Sequence, residues 1–322
     1  VEVTAYCRGF SKKFTVSVWT KYISSKDDFF TIYDNLNGWY RFVDDIELFA
    51  NEMKTISQKN IKSLENGGAL FTGVIDGNGH TLSGDNERLF YLTRGSVIKN
   101  LHIKTIGRMW MGVFAEEGEE DLIENVTVEI TLNNTWSFNN NADWFVRSSG
   151  ILFNFARGVT FKDCNVYVSF NETLDTQEGQ YPISEVSGFA DVTYPSSGGI
   201  YSTFTNCKVY STDTSIKFAK NYQGTVEEYK LSYTVEHYII DLDGITLYDS
   251  ETLQALYGTT VTAQPIEIEG YVLDRNAVGT KLSGKLAKDD PLVLKLFYIL
   301  DIEFETSDPD EIDLLIGESR QL

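Results

Sequence analysis

One stretch between residues 71 and 130 repeats itself, and this constrains the fold more than any other feature. It opens with FTGVIDGNGHTLSG (71–84), continues with LFYLTRGSVIKNLHIKTI (89–106) and returns in outline as GVFAEEGEEDLIENVTVEI (112–130). Residues 98–104 align with 123–129, 161–167 and 204–210, and Ile75-Asp76 opens an earlier copy in which Gly77-Asn78-Gly79 makes a longer turn. Apolar and polar residues alternate at period two within each copy, which marks half-buried strands, not helices. A second aromatic anchor precedes each strand: Phe90, Phe114, Phe153 and Phe189. Self-similarity at about two dozen residues predicts a solenoid, because one coil cannot bury its own apolar face and a stack of coils can. The expected fold class is therefore mainly β: a parallel β-helix followed by a smaller β domain.

The aligned columns carry their own physics. Asn100, Asn125, Asp163 and Asn206 share a turn position. Asn and Asp tolerate bent backbone and bond it with their side chains. Stacked one strand spacing apart, ~4.8 Å, they would form a polar ladder along one corner. The outward column before them reads Asp76, Lys99, Glu124, Lys162, Thr205, with alternating sign, and Lys104 faces Glu129 further along. Opposite charges on neighbouring strands favour that register.

Charge and cysteine content bound the partners. The 322-residue chain has a net charge of −20. Such a surface repels phosphate backbones, so nucleic acid is excluded as a partner. Three cysteines make no disulfide framework; Cys164 and Cys207 share one inward column, Cys7 stands alone, and whether the first two are bonded stays open. Small buried hydrophobes explain that pair best. No apolar run reaches the ~18 residues of a membrane span, so no membrane insertion is expected. The chain begins without Met or a signal peptide, which reads as a fragment of a longer precursor.

In chain order, residues 1–23 hold β-rich runs that serve as opening strands or a cap. Ser24-Ser25 followed by Lys26-Asp27-Asp28 starts a helix, with serine as N-cap and acids at the positive end. It should run through residues 30–36 and stop at Asn37-Gly38. Residues 39–48 read as one strand entering the first coil, and 49–68 as a polar loop. YRFVDDIEL (40–48), FTGVIDGNGHTLSG (71–84), LF (89–90) and VIKNLHI (97–103) together resemble the GLUG-type module of bacterial surface proteins. The resemblance covers roughly residues 24–215 and decays after Thr131. It implies a right-handed parallel β-helix on a secreted or wall-anchored protein, and it carries no catalytic set to transfer.

From Lys217 the pattern changes. The run YTVEHYIIDLDG (233–244), then GTTVTA, IEGYVLD and SGKLAKDDPLVLKLFY, resembles the mucin-binding and internalin B-repeat group of Gram-positive surface modules. That resemblance implies a ubiquitin-like β-grasp domain, which binds mucin or host ligands in some members and acts as a spacer in others. The organisation expected is thus 1–23 N-terminal strands or cap, 24–216 β-helix with capping helix and insertions, 217–302 β-grasp module, and 303–322 an acidic linker or the start of a further module.

Three insertions, 131–148, 171–185 and 192–203, swell the later coils. The first carries Trp136, Phe138, Trp144 and Phe145 among asparagines, the second Tyr181 and the third Tyr194. Long loops on one face of a solenoid are often its binding face. Trp110, Trp136, Trp144 and Tyr181 all fall between the end of one coil's strand and the Phe anchor of the next, so the solenoid would bring them to one edge. They are the candidate ligand-binding residues, with Asn133, Asn134, Asn139, Asn140 and Asn141 supplying donors and acceptors for hydroxyls. The competing reading is that these aromatics fold back on their own scaffold.

Catalysis is poorly supported. Acting on an acidic sugar polymer needs grouped carboxylates or a metal with a base, and Lys99 interrupts Asp76 and Glu124. His80 and His102 have no paired acid or Cys in the same column, and all three histidines, His80, His102 and His237, read as surface or turn residues. Asp241, Asp243 and Asp249 lack calcium-loop spacing, and a hairpin turn explains them better. No metal, cofactor or catalytic residue is expected. The function expected is adhesion or structural display at the cell surface, extracellular or wall-attached, as a monomer, with a glycan, mucin or host protein as ligand. The alternative is a polysaccharide lyase or hydrolase.

Overall fold

The computed structural model describes residues 2–7, 10–15, 18–48, 70–85, 88–108, 112–133, 149–170 and 186–301. The chain divides into two compact units, Val1–Tyr229 and Lys230–Leu322. Strand Val226–Glu228 pairs in parallel with Lys208–Ser211, so the first unit extends past residue 216.

Three parallel sheets make up most of the first unit. The first has seven strands: Lys21–Ile23, Trp39–Phe42, Val74–Asp76, Val97–Lys99, Leu122–Glu124, Thr160–Lys162 and Thr203–Thr205. The second also has seven: Ile46–Leu48, Thr81–Asp85, His102–Arg108, Thr127–Asn133, Asn165–Phe170, Lys208–Ser211 and Val226–Glu228. The third has five: Leu70–Phe71, Phe90–Arg94, Ala115–Glu119, Phe153–Arg157 and Ala190–Tyr194. The chain visits the sheets in rotation, and the aligned copies lie in register, Ile75 beside Ile98, Ile123, Phe161 and Phe204.

The mainly β class stands, but the expectation of one right-handed parallel β-helix is corrected. The strands separate into several parallel sheets instead of a single solenoid, and a two-stranded sheet, Ser149–Gly150 with Val186–Ser187, lies beside the three larger ones. The corners supply the physical reason. Asn100, Asn125, Asp163 and Asn206 hold φ at 52°, 51°, 54° and 51°. A residue in the left-handed region cannot continue a strand, and Asn and Asp occupy it at least cost. Each sheet's ladder therefore stops there, and the next sheet starts with its own register. Residues 39–48 are divided too, without a left-handed residue at the break, Trp39–Phe42 joining the first sheet and Ile46–Leu48 the second.

The corner residues form the polar ladder read from the alignment. The Asn100 amide donates to Asp76 Oδ1 at 3.0 Å, Asn125 to Asn100 Oδ1 at 2.9 Å, and Asn206 to Asp163 Oδ1 at 2.7 Å. In the alternating charge column Lys162 Nζ meets Glu124 at 2.5 Å. Inside, Leu82, Ile103, Val128, Val166 and Val209 are buried neighbours across the second sheet. Phe161 and Phe204 stack at 4.9 Å with rings 2° from parallel. In the third sheet Phe90 and Phe153 alternate with Ala115 and Ala190. Large and small side chains thus alternate along that inner column, which lets neighbouring rings interdigitate.

Ahead of this stack, Glu2–Cys7 and Phe10–Thr15 pair antiparallel. The helix is shorter than expected: Lys26–Phe30, capped by Ser25 Oγ accepting from Asp28 N, then a 3-10 turn over Thr31–Asp34. Phe29 and Ile32 are its buried residues.

The second unit is built on a four-stranded sheet ordered Gly244–Leu256, Lys230–Asp241, Val293–Leu300, Tyr271–Asp274. Its core is Val235, Ala263, Ile268, Leu286, Leu292, Leu294, Leu296 and Tyr298. The β-grasp expectation is corrected as well, because among the described residues of this unit no helix packs on the sheet. Between Leu256 and Val293 the chain makes short strands and turns, with Gly258, Gly270 and Gly279 at positive φ. Such glycines and Pro265 break any continuous helix there. His237, read as a surface or turn residue, is instead buried, and its Nδ1 lies 2.9 Å from Tyr298 Oη.

Candidate functional site

Trp110, Trp136, Trp144 and Tyr181 lie outside the described residues, and so do Asn134, Asn139, Asn140 and Asn141. Of the three insertions, 192–203 is the one whose course is described. It leaves the end of strand Ala190–Tyr194 and returns to strand Thr203–Thr205 at the corner between the third and first sheets.

Local hydrogen bonds fix this loop. Ser196 N donates to Ile200 O at 2.6 Å, while Gly198 N and Ile200 N each donate to Ser196 Oγ at 3.2 Å. Gly199 takes φ 81°, a conformation open to glycine, and its N–H donates to Ser196 O at 2.8 Å. Ser202 Oγ accepts from Val159 N at 3.1 Å and donates to Ala156 O at 3.2 Å. At the tip, Ser197 N donates to Glu119 Oε1 at 2.9 Å, and the Ser197 hydroxyl donates to the same oxygen. Arg94 holds the other Glu119 oxygen at 2.6 Å.

The loop's outer side is apolar and aromatic. Tyr194, Ile200 and Tyr201 are exposed, Tyr201 at 71%. Tyr194 stacks on Phe155 at 6.4 Å, and the Arg157 guanidinium sits 5.1 Å from the Tyr194 ring centre. Arg157 in turn pairs with Glu117. The result is a cation-backed ring at the start of a hydrogen-bonded loop that also carries an exposed tyrosine. Aromatic faces of this kind offer rigid contact area, and cation–π contacts orient the ring.

Two carboxylates lie nearby, with pKa values moved in opposite directions. Hydrogen bonds from Ser197, assisted by Arg94, hold Glu119 below the usual carboxylate range. Asp121 is 1% exposed and accepts from Thr93 Oγ1 at 2.6 Å and from Ser96 N and Oγ at 2.8 Å each. Burial pushes its pKa up to about 6 against those bonds, with the Glu119 charge adding. A separated pair of this kind is how acid and base roles are divided in some enzymes. Here the raised member is sealed from solvent and cannot pass a proton to a ligand.

His80 and His102 have acid partners outside their own columns. His80 Nδ1 lies 3.2 Å from Asp45 Oδ1, which also accepts from Thr81 N at 2.8 Å. His102 Nε2 lies 2.9 Å from Glu129. These partners sit on neighbouring columns, where an alignment by column does not look. Thr81 Oγ1 and His102 Nδ1 are 3.4 Å apart. Cys164 and Cys207 are free thiols. Among the described residues no three His, Cys, Asp or Glu side chains group as a metal site, and no helix is long and apolar enough to cross a membrane.

Sequence reasoning named Tyr194 but missed Ile200, Tyr201, Arg94, Glu119 and Arg157. In the third sheet Arg94, Glu119, Arg157 and Tyr194 are register neighbours, but Phe90 pairs with Ala115 and not with Phe114, so aligning the chain on its Phe anchors does not bring them into one column. No family model, no curated protein and no solved structure matches the chain.

Proposed function

We propose that the chain is an adhesion or display protein of a bacterial cell surface, extracellular or wall-attached, which holds a ligand at the corner formed by Tyr194, Ile200 and Tyr201. The observation that carries this reading is that loop: its backbone is pinned at both ends while its aromatic side chains face solvent. Anchors already ordered lose little entropy on binding, and a few aromatic anchors supply most of an interface's energy. Glycan rings, with apolar faces and rims of hydroxyls, fit an exposed tyrosine face backed by Arg157 and its partner Glu117. The likeness to surface modules in residues 40–103 and 231–299 supports the same location.

The test is a glycan array and a mucin-binding assay on the whole chain, beside Tyr194→Ala and Tyr201→Ala. Loss of one anchor worth ~2 kcal/mol weakens binding about 30-fold with unchanged melting. Binding that ignores both substitutions refutes the site. Release of reducing ends from an acidic polysaccharide would replace adhesion by the hydrolase or lyase reading.

A further inference from the structure

In the second unit, strand Gly244–Leu256 is the outermost of its sheet, and among the described residues it pairs only with Lys230–Asp241. Its residues from Gly244 to Gln254 are exposed. Natural edges of this length are normally shortened, covered or charged, because an open row of N–H and C=O groups invites another strand. This edge carries charge and a bulge at its middle, where the register shifts between His237 and Tyr238 and Asp249 and Glu251 follow.

The half nearest the turn is different. Ile245 is 62% exposed and Leu247 53%, and Leu242 projects from the turn itself. Ile245 faces Ile240, which lies beside Ile299, which lies beside Val272, so one apolar row crosses all four strands on the outer face. The turn closes on the Asp241–Gly244 pair. Hydrogen-bonded pairs alternate from there, which leaves the backbone N–H and C=O of Ile245 and Leu247 pointing to the open side.

We propose that this edge is a docking site for an extended partner segment in which apolar and basic side chains alternate, added as a fifth strand. Apolar side chains would lie against Ile245 and Leu247. Basic ones would meet Asp249 and Glu251 on the strand and Asp241 and Asp243 at the turn. The charge decides against a second copy of this chain. Antiparallel self-pairing would set Asp249 and Glu251 against their own counterparts, in molecules each carrying −20. Strand addition takes its affinity from main-chain bonds and its specificity from alternate side chains.

The test uses the full chain and a labelled twelve-residue peptide of alternating valine and lysine, titrated at physiological salt. A valine–glutamate peptide is the control. Leu247→Pro removes an outward N–H without touching an inward bond, and Asp249→Lys with Glu251→Lys reverses the charge. The valine–lysine peptide should bind, each variant should weaken it at least tenfold, and the glutamate peptide should not bind. Three results would overturn the proposal: no binding of the lysine peptide, binding to Leu247→Pro and to the charge-reversed variant as tight as to the unaltered chain, or a dimer of the chain that Leu247→Pro dissolves. The charge-reversed variant keeps the test decisive if the proline unfolds the unit.

Discussion

Val128 is fully buried, with Ile103 and Val166 beside it in register. Val128→Asp places a carboxylate between them with no cation or donor aimed at it. The cost can be worked in parts. At pH 7 the new side chain escapes its charge by taking a proton. Holding that proton ~3 units above the ordinary pKa of ~3.9 costs about 4 kcal/mol. The neutral carboxyl is still an unsatisfied polar group, for ~1–3 kcal/mol, and the lost valine burial adds ~1.5 kcal/mol. The sum, roughly 6.5–8.5 kcal/mol, rivals the whole stability of a domain, ~5–15 kcal/mol. The first unit should therefore be unfolded or nearly so. All five tryptophans, Trp19, Trp39, Trp110, Trp136 and Trp144, belong to the first unit, so tryptophan fluorescence reports it alone. Methyl resonances of residues 230–301 report the second unit. The variant should lose the tryptophan transition while those resonances and their melting stay put. At pH 4 about 4 kcal/mol should return, and Val128→Asn should show no such recovery. Joint loss of both units would refute their independence, and an unchanged melt would refute the inward placement of Val128.

Asn125→Ala forfeits the left-handed preference at φ 51° and the bond to Asn100, so it should cost about 1–2 kcal/mol in urea denaturation. Asn125→Gly, free of the backbone penalty, should cost less; equal losses would mean the backbone conformation is not what matters. Burial beside Tyr298 holds His237 below its ordinary 6.5. Its unfolded form binds the proton more tightly, so the second unit should be most stable above pH 6.5 and weaken as pH falls through the folded value. His237→Gln should flatten that slope in pH-dependent melts, and an unaltered slope would assign it elsewhere. Asp121 has the opposite sign: its folded pKa of about 6 exceeds its ordinary 3.8. Its contribution is full below about pH 4 and declines by about 3 kcal/mol as pH rises through 6. The stability advantage of the wild type over Asp121→Asn should shrink by that amount between pH 4 and pH 7, and a constant difference would contradict the raised pKa.

The register of the first sheet was legible because two independent signals agreed. Period-two alternation placed Ile98, Ile123, Phe161 and Phe204 inward, and Asn or Asp at the same offset marked where the strand must bend. How strands group into sheets was not legible. Alternation describes one strand and its two faces, whereas sheet membership depends on which backbones meet around a corner. The break at Val43-Asp44-Asp45 carries no glycine or proline to announce it. Strand Gly244–Leu256 escaped notice for a related reason. Exposed along most of its length, it has no buried face to impose an apolar period. Tyr201 was hidden because its exposure depends on the turn at Ser196 and Gly199, a matter of hydrogen bonding and not of composition.

The same contrast bears on binding against catalysis. Among the described residues of the first unit, four groups that could do chemistry have partners within the fold. Glu119 is locked as an anion by Ser197 and Arg94, and Asp121 is sealed beneath Thr93 and Ser96. His80 is tied to Asp45, and His102 is held beside Glu129. A general acid or base must face its substrate with a proton to give or accept; Glu119 and Asp121 are turned into the protein, whereas the His80 and His102 side chains are 30% and 32% exposed. Tyr194 and Tyr201 turn toward solvent on a loop whose order is already established. Side chains in that condition suit holding a ligand without altering it, which is the distinction the reducing-end assay and the tyrosine substitutions are chosen to draw.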